Sequence, residues 1–459
     1  MNNKLTEGKI LTTLIKLALP IMGTSFVQMA YNMTDMIYIG RLGSSAVAGV
    51  GTAGFFTWFG MALIIISRIG AEIGVSQSIG KDDINSAKKY AKNTLILNII
   101  LGLVYGAFLI IFRKNLIGFF NIQNKNVVNM ALEYLVIVAL GINFYFINPV
   151  FTGIYNGTGN SKTPFLFNLI GLISNMILDP ALIFGIGPFP KLGVRGAAIA
   201  TVFSQVVVTA MFILTAKKTI LIRGFSFKEF DMKYMKNIFK YGFPVAVQNG
   251  LFCIFAMIIA RIISKWGEIP IAVQKVGSQI ESISWMTAGG FQTAISTFVG
   301  QNYGAKKWDR IVKGYKAAIL SVSVIGIFTT ILLIFAAGPI FSFFIPEKAT
   351  LPYGVAYLRI LGVSQFFMCI EIATAGAFNG MGKTLPPSLV STFFTGLRIP
   401  AALILSSPEI LGLNGVWWSI SITSIIKGVI LITWFIIYLK SSSFNRIKNG
   451  ELNTLNESI

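Results

Sequence analysis

Pro20, together with Gln77-Ser78-Ile79-Gly80, recurs 224 positions later as Pro244 with Gln301-Asn302-Tyr303-Gly304, and this repetition decides how the chain is read. Further on, Asn156-Gly157-Thr158-Gly159 returns as Asn379-Gly380-Met381-Gly382 at a shift of 223, and Leu192-Gly193…Gly196 as Leu411-Gly412…Gly415 at a shift of 219. A shift that shrinks along the chain is what shortened loops between equivalent elements leave behind. Residues 20–208 and 244–427 therefore read as two copies of one design. The acids are not copied with it: Asp35 falls opposite Ile259, and Asp179-Pro180 opposite Ile399-Pro400. A duplicated membrane scaffold with one chemically active half is the pattern of a transporter.

The 459 residues are 54% hydrophobic and 12% charged, with a mean hydropathy of +0.73, whereas soluble domains carry roughly twice that charge. Long apolar runs alternate with short polar connections. They give twelve spans, at about 15–39, 46–79, 89–112, 130–156, 164–186, 193–216, 239–264, 270–300, 314–336, 352–379, 386–406 and 412–439. The expected fold is an all-α polytopic membrane protein whose twelve transmembrane helices form two pseudo-symmetric six-helix lobes. The N-lobe covers 1–216, a cytoplasmic linker 217–238, the C-lobe 239–440 and a polar cytoplasmic tail 441–459. Span 1 is too long for the core of a cleaved signal peptide and contains Asp35.

The formal charge of +21 does not call for nucleic acid. With the N-terminus inside, the basic residues of the connections gather on the cytoplasmic side, as at Lys88, Lys89, Lys92, Lys306, Lys307 and Arg310. Only Arg41, Arg113, Lys114, Lys125, Lys191, Arg195, Lys265 and Lys348 fall opposite. The positive-inside rule accounts for this and sets both termini in the cytoplasm of a multi-pass protein of the cell membrane. The basic segment 217–240 is placed to lie against anionic headgroups. With no histidine, a histidine relay, a histidine metal site and a serine–histidine triad are excluded. Cys253 and Cys369 sit in apolar spans and imply no disulfide framework. No Gly-Lys-Ser/Thr phosphate loop is present, so an ion gradient rather than ATP is the expected energy source.

Ionisable residues inside hydrocarbon are costly and so need a reason to be there. Asp35 and Asp179 lie about five and six residues before the outer ends of spans 1 and 5, roughly 8–10 Å below the outer surface. Thr201 reaches a similar depth in span 6, and Asn175, four residues before Asp179, shares its helical face. Pro180 frees the carbonyl of Met176 as a further ligand. Such oxygen ligands suit a hard cation such as Na⁺. Two neighbouring carboxyls shielded from water suit H⁺ equally well, because desolvation and mutual repulsion both oppose a doubly charged pair.

The sequence also resembles a known family. Leu19-Pro20…Gln28-Met29-Ala30-Tyr31-Asn32-Met33-Thr34-Asp35-Met36-Ile37-Tyr38-Ile39-Gly40-Arg41-Leu42-Gly43 is similar to the opening helix of the multidrug and toxic compound extrusion (MATE) family. Gln274-Lys275-Val276-Gly277-Ser278-Gln279-Ile280-Glu281-Ser282-Ile283-Ser284-Trp285-Met286, followed by Phe298-Val299-Gly300-Gln301-Asn302-Tyr303-Gly304-Ala305, is similar to that family's helix 8. Asn156-Gly157-Thr158-Gly159 and Asn175…Asp179-Pro180 add to the match, which runs from about residue 10 to 440. The resemblance implies a cation-driven antiporter of two lobes open alternately to either side. It carries the family's ion and proton residues onto Asp35, Asn175, Asp179 and Thr201. Pro244–Phe255 holds no acid and Glu371 is displaced from the usual helix-10 place, a pattern closer to the DinF-like than the NorM-like branch.

In the second half, Gln274, Ser278, Glu281 and Trp285 make one polar-edged face of span 8, beside Gln279. Glu281 and Glu371 lie near the midplane, where acids next to aromatic surface attract an organic cation. Gln279, Glu281 and Glu371 are therefore the candidate substrate residues; the alternative is an interhelical hydrogen-bond network. The expected function is a multidrug efflux antiporter exchanging H⁺ or Na⁺ for an amphipathic, cationic compound, with no cofactor, acting as a monomer. The alternative is a lipid-linked oligosaccharide or lipid-precursor flippase of similar architecture. An enzyme is disfavoured, since no nucleophile–base constellation is visible.

Overall fold

Hydrocarbon drives a long apolar run to close its backbone hydrogen bonds within itself, and among the described residues every such run is helical. The computed structural model describes residues 5–216, 221–441 and 444; the ends of the chain, including nearly all of the predicted tail 441–459, and Lys217 and Lys218 of the linker lie outside the described residues. The first half contains α1 (Ile10–Gly40), α2 (Ser44–Gly80), α3 (Ile84–Gly118), α4 (Lys125–Gly157), α5 (Lys162–Phe184) and α6 (Val194–Ala216). The second contains α7 (Met232–Ile263), α8 (Glu268–Gly304), α9 (Trp308–Phe335), α10 (Ala337–Phe344), α11 (Leu351–Gly380), α12 (Leu385–Leu405) and α13 (Leu413–Lys440). Among the described residues eleven of these are long and apolar enough to cross a membrane. The remaining long helix, α8, is diluted by Gln274, Lys275, Gln279, Glu281 and Gln292. It nevertheless takes the place in its lobe that the spanning α2 takes in the other, and the fold is one of twelve transmembrane helices in two six-helix lobes.

The eight-residue α10 is not expected from the sequence reading. Pro339 supplies no backbone N–H to carry α9 onward, and the following turn buries Phe341 in the C-lobe core.

Packing repeats the duplication. In the first half α4 packs on α2, α3 and α6, while α2 packs on α3 and α5 on α6. In the second, α11 packs on α8, α9 and α13, while α8 packs on α9 and α12 on α13. These are the same pairings, with α4 and α11 as the central helices. The duplicated glycine motifs end those two helices in the same way. Gly159 and Gly382 adopt left-handed φ of 86° and 78°, and each donates to the carbonyl of the motif asparagine, Asn156 or Asn379, at 2.8 Å. A side chain there would strain the turn.

The described residues form two compact units, one from 19–216 with 221–246 and one from 5–18 with 247–441. The chain thus passes from one unit to the other inside α1 and α7, close to the duplicated prolines Pro20 and Pro244. The segment leading into α1 is held by the loop between α8 and α9. Gln301 Oε1 accepts from Leu5 N at 3.1 Å, Lys307 Nζ donates to Thr6 O at 3.0 Å, and Arg310 donates to the carbonyls of Leu5, Glu7 and Gly8. The segment leading into α7 is held by α3 of the N-lobe. Lys92 Nζ donates to Gly224 O at 3.2 Å and pairs with Glu229 at 2.7 Å, and Asn93 exchanges bonds with Glu229 O and Asp231 N. Leu221 and Ile222 are buried there among Tyr90, Phe212 and Ile238.

Candidate functional site

The N-lobe candidates are set by three helices. Asp35 stands five residues before the end of α1, and Asp179 five before the end of α5, where left-handed Gly185 caps the helix. Thr201 lies seven residues into α6. Asn175 and Asp179 are fully buried and lie one turn apart, with Asn175 Nδ2 donating to Asp179 Oδ1 at 3.1 Å. Asp35 is half-buried, and its carboxyl lies within hydrogen-bonding reach of the Asp179 carboxyl. Two carboxyls can share such a bond only when one of them supplies an O–H.

Each of the four sequence-predicted residues contributes one buried oxygen with no hydrogen-bond partner: Asp35 Oδ1, Asn175 Oδ1, Asp179 Oδ2 and Thr201 Oγ1. Buried acceptors are ordinarily satisfied; other buried polar atoms of this lobe, such as Asn98 Oδ1 and Asn143 Oδ1, also lack a partner, and these four differ in lying about one carboxyl pair. All are hard oxygens, which a proton or an alkali cation would accept.

Two tyrosines complete this surround, and sequence reasoning did not nominate either. Tyr31, one turn before Asp35 and on its face, donates its hydroxyl to Thr201 O at 3.4 Å, tying α1 to α6. Tyr134 of α4 is buried close to Asp35, Asp179 and Tyr31. The four-residue spacing to Asp35 could have revealed Tyr31; Tyr134 enters only through the packing of α4.

The C-lobe candidates are distributed differently. Gln279 is exposed on α8, and Glu281 is half-buried against Tyr357 and Gln365 of α11. Glu371 of α11 is buried and ion-paired with Lys427 Nζ of α13 at 3.1 Å. Arg398 of α12 lies within electrostatic reach of both glutamates. Its Nε donates to Thr423 Oγ1 at 3.0 Å and its Nη2 to Ser424 Oγ at 2.9 Å. Arg398 and Lys427 are missed in the sequence reading, although the test applied to the acids, charge at membrane depth, selects them too.

The MatE family model matches residues 20–181 and again 244–404, the two halves found by repetition. A relative from Thermotoga maritima called probable multidrug resistance protein NorM is 29% identical over 432 residues, covering 92% of this chain and 91% of its own. A Shewanella oneidensis protein called FAD transporter is 27% identical over 442 residues, covering 93% and 94%. A solved structure described as MATE in the bent conformation superposes with a TM-score of 0.89 at 24% identity, covering 97% of this chain and 98% of that one. With two matched repeats that span most of its length, on a fold shared with that structure, the chain belongs to the MATE family of membrane transporters and is not an enzyme.

Proposed function

We propose that the protein is a secondary active multidrug efflux transporter that exchanges H⁺ or Na⁺ for an amphipathic, cationic organic compound by alternating access. The observation that carries the coupling is the set of four unpartnered buried oxygens on Asp35, Asn175, Asp179 and Thr201. Entry of H⁺ or Na⁺ there changes the charge of a closely spaced carboxyl pair at membrane depth, and so favours one arrangement of α1, α5 and α6 over another. No cofactor is required. Relatives named as multidrug resistance proteins support the substrate breadth. Gln279, Glu281 and Glu371 are the proposed substrate-side groups, Glu371 through its pair with Lys427. The lack of an acid in Pro244–Phe255 supports the DinF-like assignment. We further propose a monomer in the cell membrane with both termini cytoplasmic, as the basic connections require.

The flippase reading is weaker. A lipid-phosphate carrier needs excess positive charge, whereas at this depth the C-lobe sets two acids, Glu281 and Glu371, beside its two bases, Arg398 and Lys427, and of these bases only Lys427 is ion-paired among the described residues.

Purified protein in proteoliposomes, given a pH gradient or a Na⁺ gradient separately, tests the proposal. Accumulation of a lipophilic cation driven by either gradient is expected. Transport that ignores both gradients and requires ATP rejects it.

A further inference from the structure

We infer that Arg398 forms a subsite for an anionic group, a carboxylate or phosphate, on the transported compound, so that the preferred substrates are zwitterions rather than simple cations. The inference rests on the efflux reading and narrows its substrate class.

Arg398 stands seven residues before the end of α12, about 10 Å along the helix from its outer terminus. At that depth a guanidinium is costly and is expected to have a named partner. Its hydrogen-bond partners are two hydroxyls, Thr423 Oγ1 and Ser424 Oγ on successive residues of α13. Thr423 spends its own proton on Ser419 O at 2.8 Å, which leaves its oxygen as an acceptor for Arg398. Those two bonds fix the plane of the guanidinium and use two of its five N–H groups. The other three have no acceptor among the described residues. Arg398 is half-buried, and none of its nitrogens is among the fully buried unpartnered atoms.

The neighbouring carboxylates do not supply the missing partner. Glu371 is taken by Lys427 at 3.1 Å, and Glu281 lies against Tyr357 and Gln365. Both act on Arg398 through space, and neither forms an ion pair with it among the described residues. A guanidinium oriented by hydroxyls with a free edge is the arrangement that receives a planar, bidentate anion.

The duplication adds an independent reason. Pro400 of α12 corresponds to Pro180 of α5, so Arg398 sits one residue before the counterpart of Asp179. The acid of the N-lobe is replaced by Ile399, and the neighbouring position, Leu178 in the N-lobe, carries the base Arg398 in the C-lobe. With half-buried Glu281 within electrostatic reach of Arg398, the C-lobe offers one group of each sign to a ligand.

Rhodamine B and its ethyl ester provide the test, because the free acid is a zwitterion and the ester is a cation of nearly the same size. Binding to the purified full-length protein is read by fluorescence anisotropy, with thermal stability measured on the same samples. Wild-type protein should bind the acid more tightly than the ester. Arg398→Gln should weaken the acid by about ten- to a hundredfold, the value of one charge-assisted contact, and the ester by less than about threefold. Arg398→Lys keeps the charge, guards against misfolding, and should recover only part of the loss because it lacks the fork. Equal affinity of wild type for both dyes, or equal losses for both in Arg398→Gln, overturns the subsite while leaving efflux of the ester intact. Failure of the wild type to bind either dye rejects the multidrug reading itself.

Discussion

Arg310 donates from Nη1 to the carbonyl oxygen of Gly8 at 2.9 Å, fastening the segment that enters α1 to the start of α9. The same guanidinium reaches Leu5 O and Glu7 O, so one side chain holds three carbonyls of a short stretch. Because α1 leaves this unit after Ala18 and continues past Pro20, the grip fixes only its first turns.

Arg310→Ala should free that stretch locally. Losing charge-assisted bonds of about 1.5 kcal/mol or more in total raises amide exchange roughly tenfold. Hydrogen–deuterium exchange should show the rise in peptides covering residues 5–12, with no change in 227–240. Equal protection in the variant would mean that Gln301, Asn302 and Lys307 suffice to hold the segment.

Asp35→Asn and Asp179→Asn should each reduce gradient-driven transport to background while leaving the melting temperature within a few degrees of wild type. Asn keeps the shape and removes the group that can take or release a proton. For Asp179 the substitution also keeps an oxygen able to accept from Asn175 Nδ2. Counterflow of labelled substrate without a gradient should persist in both variants. Full active transport by both would remove the carboxyl pair from the coupling mechanism.

Much of this arrangement was legible in the sequence. Twelve apolar runs and a duplicated set of glycine and proline motifs suffice for the fold, because hydrocarbon leaves the backbone few alternatives to helix. Depth along each span was enough to nominate Asp35, Asn175, Asp179 and Thr201, which lie in three helices of one lobe. Tyr134 was not legible, since its approach to the acids depends on how α4 packs. Arg398 and Lys427 were legible in principle, since depth marks them as it marks the acids, whereas the side of the membrane on which a base falls does not. The hold on Leu5–Gly8 uses main-chain carbonyls, which leave no signature in residue identity.

Asp83 caps α3 and offers a pH test outside the membrane spans. Its carboxylate accepts from Ser86 Oγ at 2.6 Å and Ser86 N at 2.9 Å, and these two bonds hold its pKa below the usual aspartate value. A depressed folded pKa gives stability that is present above the unfolded value, near 3.9, and is lost as pH falls through the folded one. Asp83→Ala should therefore lower the melting temperature at pH 7, consistent with a cap of about 0.5–2 kcal/mol, and the deficit should shrink below about pH 4. A deficit that stays constant into acid would mean that the carboxylate charge contributes nothing.

The buried pair Glu371–Lys427 predicts an asymmetric double-mutant cycle. Removing one member of a buried pair leaves an uncompensated charge and typically costs about 3–5 kcal/mol, whereas replacing both costs far less. Arg398 lies within electrostatic reach of Glu371 and of Lys427. After Lys427→Met, Glu371 still has a cation nearby; after Glu371→Gln, Lys427 faces Arg398 without its bonded acid. Glu371→Gln should therefore lower thermal stability more than Lys427→Met, and the double variant should recover most of the loss. Melting curves of the four proteins in one detergent at one pH measure this directly. Additive losses would show that the two side chains do not depend on each other, and the reverse order of the single variants would remove Arg398 from the balance of charge.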